Sequence, residues 1–274
     1  MSKKNSGIGK ADGIDEFNDS SDINQELSSR SRSTLVDRTI VPPAATRLAI
    51  EADLLELAEI GPIPGQRVEP DFEANPEPLP LGLRRPMIIG MTGLPHAGKD
   101  VLVDYLEANY TGIRRCAFSD VIIAEVNRYL GEQGLGEHQI GPENKSVPEY
   151  RRLLQDWGIG RAKEDPLYLA RGLEQVIAAA KADPETELIV ITGARMPGDF
   201  DYIENHLGAE VWRAVRPGNS YQAEHPVEIA ASERPVAREL LNDVEGDLTA
   251  FVTNIEAAIN DQRSVLIEAE PAIN

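Results

Sequence analysis

The sequence predicts an α/β fold built on a doubly wound parallel sheet, on three observations. Short apolar runs alternate with helix-length amphipathic stretches from Pro86 onward. One run, Leu188-Ile189-Val190-Ile191-Thr192, is apolar without alternation, as in a strand covered on both faces. A glycine-rich turn joins the first run to the first helical stretch, the connection typical of a βαβ unit. The spacing predicts strands over 87–92, 113–118, 188–192 and 210–215. It predicts helices over 98–109, 119–131, 147–157, 166–182, 199–207 and 246–260. In the last of these, Leu248, Phe251, Val252, Ile255 and Ile259 share one face.

Ahead of this domain, residues 1–43 are rich in Ser, Asp, Asn and Gly and poor in large apolar side chains. Such a segment buries too little to offset its ordering entropy, so a disordered acidic tail is expected. A short helix is expected over 44–60, with Ile50, Leu54 and Leu57 on one face and Glu51, Asp53, Glu56 and Glu59 elsewhere. Pro42-Pro43 opens it and Gly61 closes it. Seven prolines between Pro62 and Pro86 then describe an extended linker. The organisation reads as a tail (1–43), a helix and Pro-rich linker (44–86), a folded domain (87–260) and a loose C-terminal tail (261–274).

Hydrophobic residues make up 41% of the 274-residue chain, enough for a packed core. The formal net charge of −19 argues against a nucleic-acid footprint, which would need a basic face. No apolar run approaches the roughly 20 residues that span a bilayer, so no membrane association is expected. The lone cysteine, Cys116, permits no intramolecular disulfide, which with the absence of a recognisable signal peptide suggests a reducing, cytoplasmic setting.

The chemistry concentrates in Gly93-Leu94-Pro95-His96-Ala97-Gly98-Lys99-Asp100, set between an apolar run and a helical stretch beginning at Val101. Gly, four residues, Gly, Lys is the Walker A pattern of a phosphate-binding loop. Its successive backbone N–H groups and the positive end of the next helix would cradle phosphates, with Lys99 as a point charge. The eighth position ordinarily carries a Ser or Thr hydroxyl for Mg²⁺; here Asp100 offers a carboxylate instead. His96 reads as a solvated loop side chain. Arg151, Arg152 and Arg171 read as solvated helix charges.

The Gly-Lys-Asp ending resembles that of the phage and bacterial deoxynucleoside monophosphate kinases, within the nucleoside/nucleotide kinase superfamily of P-loop NTPases. Three later segments are similar to that family in the same order: Tyr150 to Gly158 with Arg161, Ile191 to Asp199, and Arg216-Pro217-Gly218 followed by His225-Pro226-Val227-Glu228. The resemblance covers roughly Met87 to Ile259. It implies a nucleotide-kinase-type fold and Mg²⁺-dependent transfer from ATP to a (deoxy)nucleoside monophosphate. It implies that Lys99 and the loop, Gly93 to Val101, hold the donor. Asp100 is the implied metal ligand. Arg195 would bind the acceptor, and Arg161, beside Lys163 and following the flexible loop expected at Gly158-Ile159-Gly160, would act from a mobile lid. Asp120, Tyr168 and Asp199 would line the acceptor site.

Two positions depart from the family: Val101 stands in place of Thr, and Gly193 in place of the Asp of Asp-x-Arg. Two other readings share the same residues. One is a dephospho-coenzyme A or other small-molecule kinase. The other is a non-catalytic nucleotide-binding protein that recruits a protein partner through residues 1–85. The acceptor base, the sugar and the oligomeric state stay open.

Overall fold

The structure, a computed structural model, describes residues 47–60, 77–83, 85–219, 226–242 and 249–269. The expected acidic tail lies outside the described residues, as do most of the linker and the last five positions. Among the described residues are five strands: β1 (Met87–Thr92), β2 (Ile113–Ala117), β3 (Leu188–Thr192), β4 (Glu210–Val215) and β5 (Arg238–Leu241). The helices are α1 (Arg47–Ile60), α2 (Lys99–Asn109), α3 (Phe118–Glu132), α4 (Pro148–Glu164), α5 (Tyr168–Ala182), α6 (Pro197–Asp201), α7 (Pro226–Glu233) and α8 (Thr249–Ala269). The strands form one all-parallel sheet in the order β2-β3-β1-β4-β5.

That order makes β1 the central strand. The crossover after β1 travels toward β2, whereas the crossover from β3 passes beyond β1 to β4. Ligands of open α/β sheets sit at the carboxyl ends of strands where the order reverses in this way.

Both faces are covered, as the unbroken apolar pattern of β3 predicts. Leu188 and Val190 join a core with Ile89 and Met91 of β1, Leu102 and Leu106 of α2, and Phe251 and Ile255 of α8. Ile189 and Ile191 point the other way, toward Leu173 and Ile177 of α5, Phe200 and Ile203. All five β3 residues are buried. Burying each large aliphatic side chain contributes about 1.5–3 kcal/mol.

Several elements differ from the sequence reading, each for a physical reason. Gly158 and Gly160 form no loop: both are buried in α4, which runs on to Glu164. A Cβ at Gly158 would stand 2.9 Å from Ile122 Cδ1, so the glycine serves close packing of α3 on α4. The strand β5 escaped notice because it has four residues, two of them charged. The helical reading over 199–207 becomes α6 followed by a π turn at Tyr202–His206. Residues 261–269, expected as tail, continue α8, where Asp261 pairs with Arg238 at 2.6 Å.

The end of the linker is also held. Leu81 is buried, and its N–H and that of Gly82 donate to the Glu187 carboxylate at 2.5 and 2.8 Å. Helix α1 packs on α4 through the buried Ile50 and Leu57. Asp53, expected on a solvated face, is buried and accepts a hydrogen bond from Arg152 Nε at 2.6 Å. Arg152 also meets Glu56. Arg151 pairs with Glu228 and Arg171 with Asp165, so none of the three arginines is simply solvated.

Gly90 makes the centre of the sheet thin enough for the π turn to pack on it. A Cβ there would fall 2.8 and 2.9 Å from Ile203 Cδ1 and Cγ2, and 3.2 Å from Val211 Cγ2. We predict that Gly90→Ala lowers unfolding free energy by about 1–3 kcal/mol through overpacking, read from urea midpoints. An unchanged midpoint would show that Ile203 yields freely.

Candidate phosphate site at the sheet edge

Strand β1 ends in the Gly93–Lys99 loop, and the loop is fixed by its own backbone and by two asparagines. Gly93 has φ 141°, and a Cβ there would lie 2.7 Å from the Ala214 carbonyl oxygen at the end of β4. Gly98 precedes α2 with φ 98°, and its Cβ would collide with the Asn242 side chain. Only glycine takes both conformations without strain. Asn219 Nδ2 donates to the Pro95 carbonyl at 2.8 Å and Asn242 Nδ2 to the Ala97 carbonyl at 3.3 Å. His96, at the exposed crest of the loop, has φ 62°. Leu94, Pro95 and Ala97 supply the remaining turn, and Val101 continues α2.

Lys99 opens α2, its Nζ turned back toward the Leu94 carbonyl, 3.5 Å away. Enclosure of the ammonium lowers its pKa to about 8, and the nearby cations Arg195, Lys145 and Arg151 push the same way against the attraction of Asp100. A protein of net charge −19 thus concentrates four cations at one edge of its sheet. Charges of one sign gathered in this way raise the local concentration of anions.

Asp100 is held by Arg115 of β2 at 2.9 Å, and the same guanidinium reaches Asp104 at 2.9 Å. Burial pushes the Asp100 carboxyl up, but Lys99, Lys145 and Arg115 together hold it below the ordinary value. Arg115 and Lys145 were missed at the level of sequence. Arg115 sits inside a strand pattern and Lys145 in a glycine-rich stretch, and neither position advertises a charge partner.

Arg195 follows β3 as expected and reaches the same edge, where its Nη1 donates to Glu228 Oε1 at 3.1 Å. A small cleft lies between the Gly93–Pro95 turn and a wall of Arg195, Glu228, Ala231 and Ser232.

The other expected residues are placed differently. Arg161 lies within α4, because the residues before it are helical and form no loop. Its guanidinium pairs with the buried Glu125 and with Glu164, and stacks 5.3 Å over the Tyr168 ring. Tyr168 donates its hydroxyl to Glu125 and is not offered as a stacking platform. Burial, then the hydrogen bond to Glu125, pushes the Tyr168 phenol well above its usual range. Lys163 is exposed near the end of α4. Asp120 is exposed in the first turn of α3; partial desolvation raises its carboxyl, opposed by Lys145 and Arg115.

Asp199 has its own task. Its Oδ2 accepts from the backbone N–H groups of Arg195 and Met196 at 3.0 and 2.9 Å, fixing the turn that carries Arg195. Its Oδ1 is buried without a hydrogen-bond partner.

No family model matches the chain, and no curated protein does. Among solved structures it is similar to TT1252 from Thermus thermophilus, at 15% identity and a TM-score of 0.37, over 68% of this chain and 100% of that one. A likeness of that size carries no argument about what the site binds.

Burial raises the Asp199 carboxyl to about 6, against the pull of the two backbone N–H groups and Arg195. The folded protein therefore holds this proton between pH about 4 and 6 while the unfolded chain releases it. The Asp199 contribution to stability falls as pH rises through that window, by up to about 3 kcal/mol. The difference in unfolding free energy between the native chain and Asp199→Asn should shrink accordingly from pH 4 to 7. A pH-independent difference would exclude the assignment.

Proposed function

We propose that the protein transfers the γ-phosphoryl group of ATP to a nucleoside or deoxynucleoside monophosphate. The observation that carries this reading is the Lys99 loop at the carboxyl end of the central strand, ringed by Arg195, Arg151 and Lys145 in an otherwise acidic chain. The loop amides and Lys99 hold the donor phosphates. Arg195, held by the Asp199 turn, faces the acceptor. Positioning and charge neutralisation supply most of the catalysis in such transfers, so few covalent roles are asked of side chains.

The residues present fit Mg²⁺ in one limited way. Among the described residues no cluster of three carboxylate, His or Cys ligands is found. Asp100 is nonetheless kept ionised in the first turn after the loop. One carboxylate beside substrate phosphates is a common magnesium arrangement, the ion keeping several waters. When bound, the metal would neutralise charge on the phosphate oxygens. Thr92 is committed elsewhere, donating to the Ala194 carbonyl at 2.8 Å, and Gly193 has no side chain to contribute.

Nucleotide binding without transfer is a second reading. It is favoured by the engagement of Arg161 with Glu125, which removes the expected lid arginine from its role.

A coupled assay of ATP consumption over a panel of monophosphates tests the first reading. Turnover is expected with at least one acceptor, and Lys99→Ala should lose about 100-fold or more in kcat/KM. ATP bound tightly with no transfer to any acceptor would favour the second reading. Equal ATP affinity in Lys99→Ala and the native protein would sink both.

The lowered Lys99 pKa adds a pH signature. The ammonium is the binding form, so ATP affinity should be flat below pH about 8 and fall up to tenfold per unit above it. Lys99→Ala should show no such break in calorimetric titrations.

A further inference from the structure

The segment that joins α3 to α4 is stapled to itself and to α3. Asn127 Nδ2 of α3 donates to the Ile140 carbonyl at 2.8 Å, and its Oδ1 accepts from the Ile140 N–H at 2.7 Å. Asn144, itself buried, repeats the pattern. Its Oδ1 accepts from the Gly141 N–H at 2.7 Å, and its Nδ2 donates to the Gln139 carbonyl at 3.0 Å. The Lys145 N–H donates to the Gly141 carbonyl at 3.0 Å. Lys145 is therefore carried on fixed backbone beside a buried residue, and is partly buried itself.

The charge of Lys145 acts on Lys99 and Asp100 of α2 and on Asp120 of α3. Yet among the described residues no hydrogen bond or ion pair engages its ammonium. The neighbouring arginines are committed: Arg115 to Asp100 and Asp104, and Arg151 and Arg195 to Glu228.

We propose that Lys145 contacts the terminal phosphate of a bound nucleoside triphosphate and so lets the protein distinguish ATP from ADP. This rests on the nucleotide reading above, in either its transferring or its merely binding form, and adds to it a residue and a specificity. Three considerations carry it.

The first is place. In a loop of this pattern the lysine and the residue after it address the β- and γ-phosphate end of the nucleotide. Lys145 stands near enough to influence both, from a separate crossover. The second is availability. An ammonium offers three donors, and here none is taken up by the described residues. Arg161, the cation expected over the transferred group, is held by Glu125 instead. The third is preorganisation. The asparagine staples fix the backbone at Lys145 before any ligand arrives, which lowers the ordering cost of a contact.

The test is calorimetric titration of the full chain with ADP and with the non-hydrolysable β,γ-imido analogue of ATP. The native protein should bind the triphosphate about tenfold or more tightly than ADP, as one added charge-assisted contact implies. Lys145→Ala should reduce that preference to about threefold or less while ADP affinity stays within about twofold. Lys145→Met, which keeps the aliphatic stem, should match Lys145→Ala, and Lys145→Arg should keep most of the preference.

An unchanged preference in Lys145→Ala would overturn the proposal. So would an equal loss for both nucleotides, or a native protein with no preference for the triphosphate. Neither titration requires transfer. If no monophosphate accepts a phosphoryl group, the kinase reading fails, and the ratio of the two affinities still decides the role of Lys145.

Discussion

The constraint on which the rest depends is the crowding of positive charge at the carboxyl edge of β1. Burial depresses the Lys99 ammonium, and Arg195, Lys145 and Arg151 push it further the same way against the attraction of Asp100. Such a cluster is tolerated only if the surrounding structure holds it in place and supplies counter-charge. Glu228 does so for Arg151 and Arg195, and Asp100 does so beside Lys99, itself steadied by Arg115. The two counter-charges come from different elements, α7 and α2. The sheet order then becomes intelligible. Placing β1 at the centre lets the loops after β1, β3 and β4 meet at one edge, and Asn242 after β5 reaches the same loop.

Helix α4 transmits this arrangement to the N-terminal segment. Arg151 and Arg152 are neighbours in sequence, and successive residues of a helix face directions about 100° apart. Arg151 turns to Glu228, whereas Arg152 turns to Asp53 and Glu56 of α1. Asp53 is buried, and burial raises its carboxyl even against the ion pair with Arg152. An uncompensated charge there would be costly, which makes α1 a packed part of the domain. The expectation of a partner-recruiting helix loses its apolar face to α4, since Ile50 and Leu57 are already covered.

Much of the architecture was legible because the relevant signals are local. A continuous apolar β3, glycines flanking a lysine, and amphipathic α5 and α8 each declare themselves within a dozen residues. What was not legible depended on contacts distant in sequence. The pair Gly158 and Gly160 reads as a flexible hinge until Ile122 is seen to need the space. Arg161 reads as a lid residue until Glu125, 36 positions earlier, is found beneath it. Asp199 reads as a ligand until its oxygen is seen capping the Arg195 turn. Strand β5 is too short and too charged to announce itself, yet the register of Arg213 against Glu239 places it beside β4.

The departures at Val101 and Gly193 take on a different weight in this light. Under the proposed function, Val101 and Gly193 offer no oxygen ligand beside the donor phosphates. Asp100 restores one oxygen, and it is kept ionised by three cations, whereas Asp199 is buried and raised, so it cannot serve as a second anionic donor near neutral pH without the cost of its burial. Charge balance at this edge therefore leans on arginines more than on metal ligands. Under the proposed function, this edge would meet phosphate with guanidiniums even where its hold on a divalent ion is weak.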